Sequence, residues 1–371
     1  MKQMNGHELI RIFEEFSPKN LAMEGDKIGL QIGRLNKPIT NVLVALDVLE
    51  EVVDEAIHKN VQLIIAHHPL IYRPLQKLST DTTYGRIIEK LIKHDIAVYA
   101  AHTNLDVANG GVNDLLAEAL GLNNIEVLIP TYETKLKKLA VFVPVSHAEA
   151  VKQAIGNSGA GAIGNYSHCT FSVHGKGEFL PGEQTNPYMG KRGMLEQVDE
   201  VRIESIFPES LQKSIIAAML KAHPYEEVAY DVYPLDNDGE VMGLGRIGTI
   251  NEMTLEQFAQ HVKTSLDVKG VRVVGKLSDK IKKVAVLGGD GNKYYSTAKF
   301  KGADVYVTGD LYYHVAHDAM MAGLNIVDPG HNIEKVMKMG VANYLQKQCM
   351  QKGYAVTILP SEIHTDPFQF I

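Results

Sequence analysis

The sequence predicts an α/β protein: a parallel-sheet core built from the two ends of the chain, with a βαββαβ domain inserted between them. Three observations carry this reading. Short apolar runs alternate with amphipathic segments over the first third and again towards the carboxyl end, the signature of parallel strands joined by crossover helices. The middle third breaks the alternation by placing two strands in succession. A chain of 371 residues, 45% of them hydrophobic, can fill more than one core.

Taken in order, "NVLVALDV" reads as a strand, "EEVVDEAIHKN" as a helix, "VQLIIAHH" as a strand and "YGRIIEKLIKHD" as a helix; "IAVYAAHTNLD" follows as a strand and "GGVNDLLAEALG" as a helix. The inserted domain opens with strand "KLAVFVPV" and helix "SHAEAVKQAIGNSG", continues with strands "CTFSVHG" and "VDEVRIESIFP", and closes with helix "ESLQKSIIAAMLKAHP" and strand "VAYDVYPL". That order is the split arrangement of a ferredoxin-like sandwich. The glycine-rich stretches "GNSGAGAIGN" and "FLPGEQTNPYMGKRG" read as its loops. Residues 246–280 lead back to the core, where "ADVYVTGD", "YYHVAHDAMMAG", "LNIVDPG" and "IEKVMKMGVANYLQKQC" resume the alternation. The expected division is 1–130 and 241–371 for the core and 131–240 for the insertion.

Composition narrows the function. The net charge of −7 gives no general attraction to a phosphate backbone, so a nucleic-acid partner is not expected. Two distant cysteines, Cys169 and Cys349, build neither a disulfide framework nor a thiolate zinc site and suit a reducing cytoplasm. No stretch approaches the roughly 20 apolar residues that span a bilayer, and the amino terminus lacks a signal-type apolar core.

The polar residues that invite a chemical reading fall at predicted carboxyl ends of strands, where ligands gather in open parallel sheets. "LIIAHHPL" ends on His67 and His68, "AHTNLD" contains His102 and Asp106, "VALDV" holds Asp47, "TGD" ends on Asp310, and "DPGHNIE" carries Asp328, His331 and Glu334. One rim of the sheet is expected to hold them all. His331 and Glu334, three apart at the start of a helix, share a face. Adjacent imidazoles at 67 and 68 can serve two different ions, and a glutamate can bridge two with its two oxygens. Five ligands shared by two divalent metals leave coordination positions open, as catalytic sites do. Imidazole with carboxylate suits Zn, Fe, Mn, Co or Ni and does not choose among them. Taken singly, Asp106 also reads as a helix N-cap and Glu334 as a first-turn acid favoured by the helix dipole, while "LGGDG" reads as a tight turn before it reads as a phosphate loop.

At these residues the sequence resembles the Ngg-one-interacting-factor-three-like family, also known as homologues of a GTP cyclohydrolase of type one, second subfamily. "GDKIGLQIG", "VALDV", "AHHPL", "HTNLD", "TGDLYYH" and "DPGHNIE" are similar to its successive motifs, and the likeness covers nearly the whole chain. Two departures stand out: Gly25 replaces a usual aromatic, and the last His and Glu are three rather than four apart. The resemblance implies that His67, His68, Asp106, His331 and Glu334 ligate two metal ions, zinc foremost. It also implies a two-lobed α/β core that assembles as a toroidal homohexamer, and an inserted module, with "HPYEEVAYD", similar to signal-transduction proteins of the PII type. The activity it implies is metal-dependent hydrolysis of a purine nucleotide of the GTP cyclohydrolase kind; beside that, His102 reads as the residue that moves a proton. A non-catalytic metal-binding scaffold with a regulatory role is the alternative.

Overall fold

The structure, a computed structural model, describes residues 2–371. Its contacts divide the chain into two compact units, one running up to Tyr132 and resuming at Met242–Ile371, the other comprising Glu133–Val241.

The first unit holds two larger sheets. In spatial order, the five-stranded sheet consists of Thr357–Pro360, Asn41–Ala45, Leu63–Ala66, Ala97–Ala100 and Gly29–Ile32. Its first four strands are parallel and Gly29–Ile32 is antiparallel. The six-stranded sheet runs Arg272–Val274, Asn325–Asp328, Val305–Gly309, Lys280–Asp290, Val241–Thr254 and Asn123–Glu133. Its Asn325–Asp328, Val305–Gly309 and Lys280–Asp290 strands pair in parallel, while Arg272–Val274 and Val241–Thr254 join antiparallel.

The expectation of a parallel sheet is corrected to two mixed sheets. The antiparallel members lie outside the strand–helix alternation, so no crossover helix constrains their direction. Asn123–Glu133 escaped the sequence reading because it is an edge strand with Leu128 as its one fully buried residue, leaving no apolar alternation to see.

Strands predicted from continuous apolar runs are buried throughout. All four residues of Leu63–Ala66 and of Ala97–Ala100 are shielded, as expected where helices cover both faces. Helix Val336–Gln351 lays Met337, Val341, Leu345 and Cys349 along one stripe. This stripe joins Val44, Ile65 and Tyr99 of the first sheet and Val286, Val307 and Val327 of the second in one hydrophobic cluster. Both sheets therefore share a core, which fixes their strand ends relative to each other. Helix starts follow local chemistry: Asn5 with Glu8, and Thr254 with Gln257, form capping boxes at Gly6–Phe16 and Leu255–Ser265.

In the second unit the strands lie in the order Tyr230–Pro234, Leu136–Pro144, Glu196–Pro208 and Phe171–Phe179, all antiparallel. Helices Ala148–Asn157 and Gln212–Ala222 bury Val151, Ile155, Ile215 and Met219 against Leu139, Val141, Val201 and Ile203. Among the described residues, no helix is long and apolar enough to cross a membrane.

Candidate metal centre

Loops leaving both sheets of the first unit converge on one cluster. His67 and His68 follow the buried strand Leu63–Ala66, and their N–H groups continue its ladder to the Ala45 and Leu46 carbonyls at 3.0 and 2.9 Å. His102 ends the next connection. Asp106 lies on a short helix, Thr103–Val107, where the sequence reading had extended the strand. His331 and Glu334 lie on a 3₁₀ turn, His331–Lys335, ahead of the long helix rather than inside it. Positions i and i+3 eclipse in that geometry, which brings His331 Nε2 to 3.2 Å from Glu334 Oε2.

Glu334 Oε2 is the common point. His68 Nε2 lies 3.0 Å from it and His67 Nε2 3.6 Å, the latter also 3.6 Å from Asp106 Oδ1. Three donor sets, His67/His68/His102, His68/His331/Glu334 and His67/Asp106/Glu334, each have their atoms within 4.8 Å of one another and could hold a metal ion. His67, Asp106 and Glu334 are buried, whereas the His331 side chain is 36% exposed and that of His102 25%. The cluster is thus walled on one side and open on the other.

The outer nitrogens explain its orientation. His67 Nδ1 donates to the Ala101 carbonyl at 2.9 Å, and the Nδ1 atoms of His68, His102 and His331 face Asp47, Asp26 and Asp310 at 2.7, 2.9 and 2.6 Å. With Nδ1 held from behind, Nε2 is the ring atom left for the centre, the arrangement that prepares imidazoles as metal ligands. His67 Nε2 and Asp106 Oδ1 are buried without a hydrogen-bond partner. An orphaned imidazole nitrogen and carboxylate oxygen facing each other beyond hydrogen-bond range fit a site that could hold a cation.

Electrostatics agree. Burial disfavours the charged imidazole of His68, yet Asp47 and Glu334 outweigh it and push its pKa up to about 10. The Glu334 carboxylate raises His331 to about 9 against burial. Burial pushes Asp106 up to about 6, with His67 pulling the other way. Glu334 resists burial through His67, His331 and His68 and is held well below the usual carboxylate range. The site stabilises positive charge at the inward nitrogens, whether as protons or as metal.

Asp47 and Asp310, read from sequence as rim residues, stand behind imidazoles instead. Asp328 is turned away: it pairs with Arg272 and accepts from the Leu311 and Gly330 N–H groups. The single expected rim is corrected to the ends of two sheets, because the two halves of the site follow different sheets that share one core.

Sequence reasoning passed over three residues. Asp26 accepts from His102, from the Thr103 N–H at 3.0 Å and from the Thr103 hydroxyl. Asn113 donates to the Asp106 carbonyl at 2.9 Å and accepts from the Gly288 N–H at 3.0 Å, tying the two halves together. Asp26 had a signal in its place inside "GDKIGLQIG" and Gly289 in its place inside "LGGDG", whereas Asn113 had none. Gly289 takes a left-handed backbone (φ +66°), and a Cβ there would stand 2.7 Å from Glu334 Oε1. The glycines of "LGGDG" make room for that carboxylate.

Comparison with known proteins matches residues 4–367 to the family model Duf34/NIF3 (NGG1p interacting factor 3). A Bacillus subtilis relative called "GTP cyclohydrolase 1 type 2 homolog" is 63% identical over 371 residues, covering all of both chains. One of the same description from Halalkalibacterium halodurans is 60% identical, again with full coverage of both. Among solved structures, a Bacillus cereus protein related to NIF3 superposes with a TM-score of 0.96 at 68% identity and full coverage of both chains.

Proposed function

This chain belongs to the Duf34/NIF3 family, and from that premise we propose that its cluster binds two divalent cations and serves a metal-dependent hydrolase of the GTP cyclohydrolase kind. His67, His68, Asp106, His331 and Glu334 would hold the ions, with zinc foremost and Fe, Mn, Co or Ni also suited. The single observation that carries the reading is the four imidazoles tied at Nδ1 with their Nε2 atoms left for one carboxylate-lined centre. When bound, such ions supply Lewis acidity and a lowered pKa for water.

The chain's own residues account for the remainder. Asp26 fixes the ring of His102 at Nδ1, leaving Nε2 at the open side, where it can hold or release a proton. Asp47 and Asp310 orient His68 and His331 and strengthen them as donors. The buried side of His67, Asp106 and Glu334 excludes water, so substrate approaches past His102 and His331. The names of the relatives point to GTP, and the family resemblance implies opening of the imidazole ring of a purine nucleotide by water with release of formate. We read the second unit as ferredoxin-like from its strand order, the two sheets of the first unit as the family's two lobes, and the native assembly as a homohexamer in the cytoplasm.

The test is formate release from a panel of purine nucleotides by metal-loaded protein. Turnover of one nucleotide, lost in His68→Ala while fold and assembly persist, is the expected result. Stoichiometric metal with no turnover of any nucleotide would overturn the hydrolase in favour of a metal-binding scaffold.

A further inference from the structure

The second unit contains a cavity of about 620 Å³, within the roughly 300–1,000 Å³ typical of small-molecule sites. It lies on the sheet face away from the helices. Val201 and Ile203 enter the core, so their strand neighbours Glu200 and Arg202 face outward. The adjoining strand sets Gly175 opposite Glu200 and Gly177 opposite Val198. Two missing side chains at alternate positions open the floor. A Cβ built on Gly177 would stand 2.2 Å from Glu200 Oε2, so the cavity depends on that residue being glycine.

Glu200 is the floor's polar feature, 9% exposed. The Tyr225 hydroxyl donates to its Oε1 at 3.1 Å, and among the described residues no protein donor reaches Oε2. A carboxylate has about four acceptor positions, so an occupant that pairs with it brings hydrogen-bond donors, and a planar pair of N–H groups fits its two oxygens best. Tyr225 packs against Phe179 and Tyr188, with ring centroids 5.9 and 6.2 Å away and planes inclined by 60° and 50°. Such walls receive a flat ring. The cations at the rim are already committed, Lys176 to Asp199 at 2.6 Å and Arg202 to Glu204 at 2.8 Å. Glu178, Glu226 and Glu227 leave the lining acidic, which opposes a phosphate.

The geometry points to a binding site in this unit for a flat heteroaromatic base that presents adjacent N–H donors to Glu200 and carries no phosphate. The guanine edge and 2-aminobenzimidazole have this chemistry. The site shares no residue with the metal cluster and does not rest on the hydrolase reading.

Isothermal titration of the full-length protein with 2-aminobenzimidazole and with guanosine tests it. 2-Aminobenzimidazole should bind once per chain, as should guanosine in a His68→Ala background that disables the metal centre, and each should weaken at least tenfold on adding Glu200→Gln. In Gly175→Val, whose Cβ meets nothing within 4 Å, binding should vanish while the melting temperature holds. In the same His68→Ala background GMP should bind no tighter than guanosine. Absence of binding by both probes, equal affinity in Glu200→Gln or Gly175→Val, or a preference for GMP would each overturn the assignment.

Discussion

His68 Nε2 lies 3.0 Å from Glu334 Oε2 although 266 positions separate the two residues. The contact joins the end of one sheet to the turn that follows the other, and the shared hydrophobic cluster behind them holds it. Glu334→Gln keeps the shape and removes the charge on which three imidazoles converge. Metal content, about two ions per chain in the wild-type protein under the dinuclear reading, should fall by half or more in elemental analysis while circular dichroism is unchanged. Full retention of metal would remove Glu334 from the ligand set.

Gly289→Ala should damage the same site from the backbone side. A non-glycine residue at φ +66° costs about 1–3 kcal/mol, and the new methyl group presses on Glu334 Oε1. Gly302→Ala is the control: its φ is +79°, but the nearest atom to the new Cβ is the Lys283 Nζ at 4.0 Å. Urea denaturation should show similar destabilisation for both, and metal titration should show weakened binding for Gly289→Ala alone.

Arg246 is 2% exposed and is satisfied by both Asp114 oxygens and by the Gly243 and Gly245 carbonyls at 2.8 and 2.9 Å. Asp114→Ala strands a buried guanidinium and should cost about 3 kcal/mol, the lower end for a broken buried pair because Asp114 is partly exposed. Arg246→Met, which removes the charge, should cost less. Chemical denaturation of the two variants checks the order.

Acid sensitivity should trace in part to Glu55. Burial opposes its ionisation, but the Glu362 N–H, the Lys59 ammonium and the Ser361 hydroxyl outweigh it and lower its pKa from 4.5. A carboxylate with a depressed folded-state pKa contributes stability above its unfolded value, and that contribution is lost as pH falls through the folded value. Stability curves of wild type and Glu55→Gln should therefore differ most above about pH 4.5 and converge below it. A constant gap from pH 7 to pH 3 would contradict this assignment.

Much of the site was legible because ligand-bearing residues sit where apolar runs stop. "LIIAHH" and "DPGHNIE" announce strand ends by local pattern, and local pattern also places the long helices and the succession of strands and helices along the second unit. Periodicity reports which face of a segment is buried, and that needs no knowledge of distant chain. Other features depend on what lies across space. The 3₁₀ turn at His331, the antiparallel edge strands, the cradle of Asp26 behind His102, the bridge made by Asn113 and the diversion of Asp328 to Arg272 were decided by tertiary structure. Hydrogen-bond partners and burial arise only when two sheets close on one core, so the chain determined which groups it offers and folding decided which of them meet.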